Sequence, residues 1–135
     1  MIDGPTAMHE TLDHAGLLDD AHGEGCYALA LAVPDAVDAV QRRRLEVADR
    51  PWRDDMAAQF AQADAVHYVG ESGDVYARLM DHARGDARKA SLVEAYPICD
   101  VVGVWPGARS ETAERDRARA LSGPSTVAYA NGEIF

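Results

Sequence analysis

"HYVGESGDVYARLMDHARG", residues 67–85, decides how this chain is read. The aromatic and β-branched residues of 64–70 predict a strand, which Gly70 stops. Val75, Leu79 and Met80 then recur at helical spacing between Asp74 and Arg84, and Gly85 supplies the stop signal. On that helix Arg78 and His82 stand one turn apart, so they share a face. Two accounts of the pair compete. In one, Arg78 is solvated or paired with Asp74 or Asp81, His82 caps the helix end, and Gly70 and Gly73 serve turn geometry. In the other, the shared face lines an anion-binding cleft whose floor is the strand ending at Gly70.

The flanking sequence sets the frame. Residues 1–24 are polar and rich in Gly, His and Asp, with one apolar patch at Leu17 and Leu18, and predict a loosely held N-terminal arm. "CYALALAV" (26–33) is short enough for a buried strand and ends at Pro34. Segments 35–48 and 52–63 carry apolar residues at helical spacing on either side of Pro51, which predicts a helical insertion over 34–63. A short helix begins at Ser91 and ends before Pro97, and "ICDVVGVWP" (98–106) is a further strand. A helix follows over 110–122, capped by Ser110 and stopped by Gly123-Pro124, and 125–132 is a short strand or extended tail. At 135 residues the chain can bury one ordinary core, so residues 25–135 are expected to form a single domain behind the arm.

Three stretches together resemble the GIY-YIG nuclease superfamily. Gly25-Cys26-Tyr27 stands where the family's GIY triplet opens a first strand, and Tyr68-Val69-Gly70 where YIG closes a second. "ESGDVYARLMDH" (71–82) then follows the family's run of a small hydroxyl residue, helix start, arginine and a histidine one turn later. Cys26 replaces the usual isoleucine, and the stretch from Ala28 to His67 is much longer than the family's hairpin. The resemblance implies an α/β (α+β) domain: a small antiparallel three-stranded sheet flanked by helices, with Tyr27 and Tyr68 on neighbouring antiparallel strands.

It also implies a function: a metal-dependent endonuclease hydrolysing phosphodiester bonds in DNA, with a catalytically inactive nucleic-acid-binding or protein-interaction module as the alternative. Hydrolysis needs an oriented, deprotonated water and neutralisation of the charge that develops on the phosphate. By resemblance Tyr27 is the phenol that activates or positions water, Tyr68 assists, and His82 is an alternative base or phosphate donor. Arg78 would hold a phosphate oxygen through its planar fork. Glu114 would ligate one Mg²⁺ or Mn²⁺, with Glu111 in reserve, and Asn131 would add a minor polar contact.

Charge colours these expectations without excluding them. Asp and Glu total 23 against 13 Lys and Arg, a formal net charge of −10, and Lys89 is the only lysine. Such a surface suits an extreme halophile. In about 1 M salt the Debye length is only about 3 Å, so acidity does not bar a DNA partner. No apolar run is long enough to span a bilayer and the N-terminus has no signal-like core, so a soluble, cytoplasmic protein is expected. Cys26 and Cys99 lie in apolar strand-like segments and are expected to be buried free thiols. "QRRRLE" (41–46) reads first as a solvated helix face, and His9, His14 and His22 show no ligand spacing. "GESG" (70–73) lacks the Lys-Ser/Thr of a phosphate-binding P-loop.

Overall fold

The computed structural model describes residues 1–32, 59–84, 93, 96–107, 109–130 and 133–135. Nine elements follow in chain order: α1 (Pro5–His14), α2 (Leu18–Ala21), β1 (Gly25–Leu31), β2 (Ala65–Ser72), α3 (Val75–Arg84), β3 (Ile98–Pro106), α4 (Glu111–Leu121), β4 (Thr126–Ala130) and β5 (Glu133–Ile134). The helical insertion expected over 34–63, the helix start at Ser91 and the stop at Gly85 lie outside the described residues, except that 59–62 are helical and Phe60 is buried.

β1 is the hinge of the architecture. Its antiparallel partners are β2 on one side, with Tyr27 opposite Gly70, and β3 on the other. The Tyr27 and Tyr68 strands are therefore antiparallel neighbours although the intervening chain is long, as loop-closure entropy, which grows slowly with length, permits. The sheet goes further than the expected three antiparallel strands. It has five strands in the order β3-β1-β2-β4-β5, and β4 runs parallel to β2. The three-stranded expectation is thus corrected to a five-stranded mixed sheet. The physical reason is α4. Parallel pairing needs a crossover, and α4 carries the chain from the β3 edge across one face of the sheet to β4, where it packs on β2 and β4.

Strand alternation sorts the core into two layers. Tyr27, Leu29 and Leu31 face one side and join Val66, Val75, Leu79, Met80, Met8 and Leu12, under α1, α2 and α3. Ala28, Val69, Ala128 and Ala130 face the other side and receive Ala118 of α4, with Trp105, Leu121 and Phe135 at the margin. The alanines explain why α4 lies close to the sheet.

The N-terminal segment departs from the loosely held arm expected for it. α1 has Pro5 in its first turn, buries Met8 and Leu12 one turn apart, and closes on Gly16 at φ 71°. The Gly16 N–H donates to Asp13 O at 3.0 Å and the Leu17 N–H to Leu12 O at 2.8 Å, a complete glycine C-cap. The Ile2 N–H donates to Ile98 O at 2.8 Å, so the chain start also covers part of the β3 edge. One cysteine departs as well. Cys26 is buried, but Cys99 is exposed, because β3 slips register against β1 between Ala30 and Leu31 and turns that residue outward. Among the described residues, no helix is long and apolar enough to cross a membrane.

Candidate functional site

The helix that carries Arg78 and His82 is set by its entry turn. Ser72 Oγ accepts the Asp74 N–H at 3.1 Å, and Asp74 Oδ1 accepts the Ala77 N–H at 3.1 Å, which caps α3. Capping occupies Asp74, and Asp81 pairs with Arg84 at 3.7 Å. Neither carboxylate holds Arg78. Among the described residues no ion pair engages its guanidinium, which is half-buried beside two phenols.

Those phenols are Tyr27 and Tyr68. Tyr27 leaves β1 toward α3, and its Oη hydrogen-bonds His82 Nε2 at 2.8 Å, with both residues 1% exposed. The ring reaches that position because its cross-strand neighbour is Gly70. A β-carbon there would lie 2.5 Å from Tyr27 Cζ, so the phenol occupies the volume a side chain would need. Tyr68 closes the group, with its ring 6.4 Å from that of Tyr27 and 5.8 Å from the His82 imidazole. Four of the five residues expected from the sequence, Tyr27, Tyr68, Arg78 and His82, therefore meet on one face of the sheet.

Both phenols are protonated at neutral pH, as tyrosines ordinarily are, and burial raises their pKa further. Desolvation holds Tyr27 well above the ordinary tyrosine range, opposed by the charge and hydrogen bond of Arg78. Desolvation likewise pushes Tyr68 up to about 12, with Arg78 again opposing and the negative charge of Glu114 adding to the rise. Arg78 thus sets a positive charge beside two protonated phenols. This combination suits an oxyanion.

Glu114 does not join them. It is buried on α4, on the opposite face of the sheet, where with burial it pushes the Cys26 thiol up to about 11. Cys26 and Tyr27 are successive residues of one strand and point to opposite faces. On this second face Glu71 is bound to Arg109 at 3.0 Å, and Arg117 lies 4.1 Å over the Trp105 ring. Glu111, the reserve ligand, is exposed and pairs with Arg115 at 3.2 Å. Asn131 lies outside the described residues. A divalent cation serving the phosphate on Arg78 would need oxygen donors beside it, and the sheet separates Glu114 from that position. Among the described residues, no three His, Cys, Asp or Glu side chains gather as a ligand set. Glu114 acts on the tyrosine face through its charge, which raises the pKa of both phenols.

One residue of the site goes unnoticed in the sequence. Tyr129 of β4 is the direct partner of Tyr68, and their rings stack with centroids 6.2 Å apart and planes at 25°. Its signal was the alternation of "TVAYA" (126–130), which shows a strand but not where that strand lies. No family model matches the chain, and neither a curated protein nor a solved structure matches it.

Proposed function

We propose that the chain is a GIY-YIG-type phosphodiesterase whose substrate is DNA and whose phosphate-holding group is Arg78. The observation that carries this reading is the convergence of Arg78 with Tyr27, Tyr68 and His82. These residues come from three elements, and nothing in their spacing obliges them to meet. A half-buried guanidinium without a carboxylate partner among the described residues, flanked by protonated phenols, is complementary to a phosphate.

The chemistry follows from the protonation states. Tyr27 holds its proton too tightly to act as a free phenolate at neutral pH, so it serves as a relay. Water attacks phosphorus and gives its proton to Tyr27 Oη while Tyr27 passes its own to His82 Nε2, which acts as the base. The bond to the leaving oxygen breaks, and that oxygen takes a proton from solvent. Arg78 offsets the charge that grows on the phosphate oxygens.

A second reading, a non-catalytic module that binds nucleic acid through the same face, is favoured by the depth of Tyr27 and His82, each 1% exposed. One experiment separates the two. Labelled single-stranded, duplex, flap and junction DNA is incubated with the protein in molar KCl, with Mg²⁺, with Mn²⁺ and with EDTA. Arg78→Lys should keep the fold and lower cleavage about 100-fold, because an ammonium cannot reproduce the two-pronged contact. A parent protein that binds DNA but cuts none of it establishes the module instead. If it neither binds nor cuts, both readings fall.

A further inference from the structure

Tyr68 is braced from two sides. Toward α3 it meets Tyr27 and His82, and toward β4 it stacks on Tyr129. Tyr129 is itself held, since the Phe60 ring lies 6.2 Å from it at 65°, and Tyr96 lies 6.2 Å from Phe60 at 86°. Phe60 and Tyr96 are 1% and 0% exposed, so this second row cannot yield without opening the core. The row exists because β4 pairs in parallel with β2 at a register that sets Tyr129 against Tyr68. A one-residue slip would turn Tyr129 to the other face.

We propose that Tyr129 is a positioning residue of the phosphate-holding site, acting through Tyr68: its ring backs the Tyr68 ring and fixes that phenol against Tyr27, His82 and Arg78. The proposal rests on the phosphodiesterase reading for its consequence in catalysis, but its geometry stands apart from that reading. β4 thereby becomes part of the site, although none of the residues expected to act from sequence lies on it.

The groups facing Tyr68 are Tyr27 from β1, Arg78 and His82 from α3 and Tyr129 from β4, and the charge of Glu114 acts on it from α4 across the sheet. Burial is the largest influence on the Tyr68 phenol, Arg78 and the Tyr27 hydrogen bond act to lower its pKa, and Glu114 and Tyr129 act to raise it. Removing the Tyr129 hydroxyl while keeping its ring should therefore let Tyr68 ionise at lower pH. Removing the ring should do more, because Tyr68 also loses its backing and gains water.

The test is a titration of the full chain labelled with ¹³C at tyrosine Cζ, in the parent, Tyr129→Phe and Tyr129→Leu, with Tyr68→Phe assigning the resonance. In the parent Tyr68 should titrate near 12. It should titrate lower in Tyr129→Phe and lower still in Tyr129→Leu. In cleavage assays Tyr129→Phe should stay within about twofold of the parent, and Tyr129→Leu should lose about tenfold in kcat at unchanged KM, as loosened positioning requires. A Tyr68 titration that matches the parent in a folded Tyr129→Leu overturns the proposal, and so does parental kcat in that variant. Should Tyr129→Leu not fold, Tyr129→Met, which also removes the aromatic face, is read by the same titration and the same kcat. The titration can be read whether or not the protein cuts DNA, so a failed phosphodiesterase reading and a failed role for Tyr129 give different results.

Discussion

Gly70 shows how much one missing side chain can organise. What occupies the space beside Gly70 is the Tyr27 ring, which lies where a β-carbon at position 70 would stand. A phenol is rigid, and this one is tied to His82 at 2.8 Å, so it cannot step aside without leaving its partner. Gly70→Ala should destabilise the protein by about 1–3 kcal/mol through overpacking and break the Tyr27–His82 hydrogen bond. Urea unfolding measures the first effect and the histidine ¹⁵N shift of His82 the second. Unchanged values of both would mean that the ring has room elsewhere. Arg78 and His82 were legible as a pair on one helical face. The absence of a described carboxylate partner for Arg78 was not, because whether Asp74 and Asp81 are already engaged depends on the capping and pairing of the folded helix.

At the scale of the element, α1 shows what a polar composition can hide. Pro5 in the first turn, Met8 and Leu12 one turn apart, and Gly16 as a left-handed stop are each a helix signal. They are diluted by the His, Glu and Asp residues on the exposed face, which is why the segment reads as an arm. Leu12 is 0% exposed and sits in the core that also holds Tyr27 and Leu79. Leu12→Ala should therefore cost about 2–5 kcal/mol, the range for a core leucine. A loosely held arm would give no measurable change in urea unfolding. β4 is the complementary case. Its five residues announce a strand, but a five-residue strand can pair with any edge, and only the path of α4 brings it beside β2.

For the whole molecule, the net charge of −10 on 135 residues is the dominant long-range term. Self-repulsion of this kind opposes the compact state until counterions screen it. The melting temperature should rise between dilute buffer and molar KCl, and a flat response would remove the halophile expectation along with the case for assaying DNA cleavage at high salt. What the sequence determined by itself was local: the strands around Tyr27 and Tyr68, the helix over 75–84, the Ser110 cap whose Oγ accepts the Ala113 N–H at 2.9 Å, and the helical face shared by Arg78 and His82. These follow from periodicity, capping and punctuation, which act over a few residues. Only the tertiary structure decided which face of the sheet each group occupies. Tyr27 and Glu114 belong to different elements, and strand alternation together with the α4 crossover sets them on opposite faces. The same crossover brought Tyr129 to Tyr68, because the pairing of distant strands is chosen by how the layers pack and not by the residues within either strand.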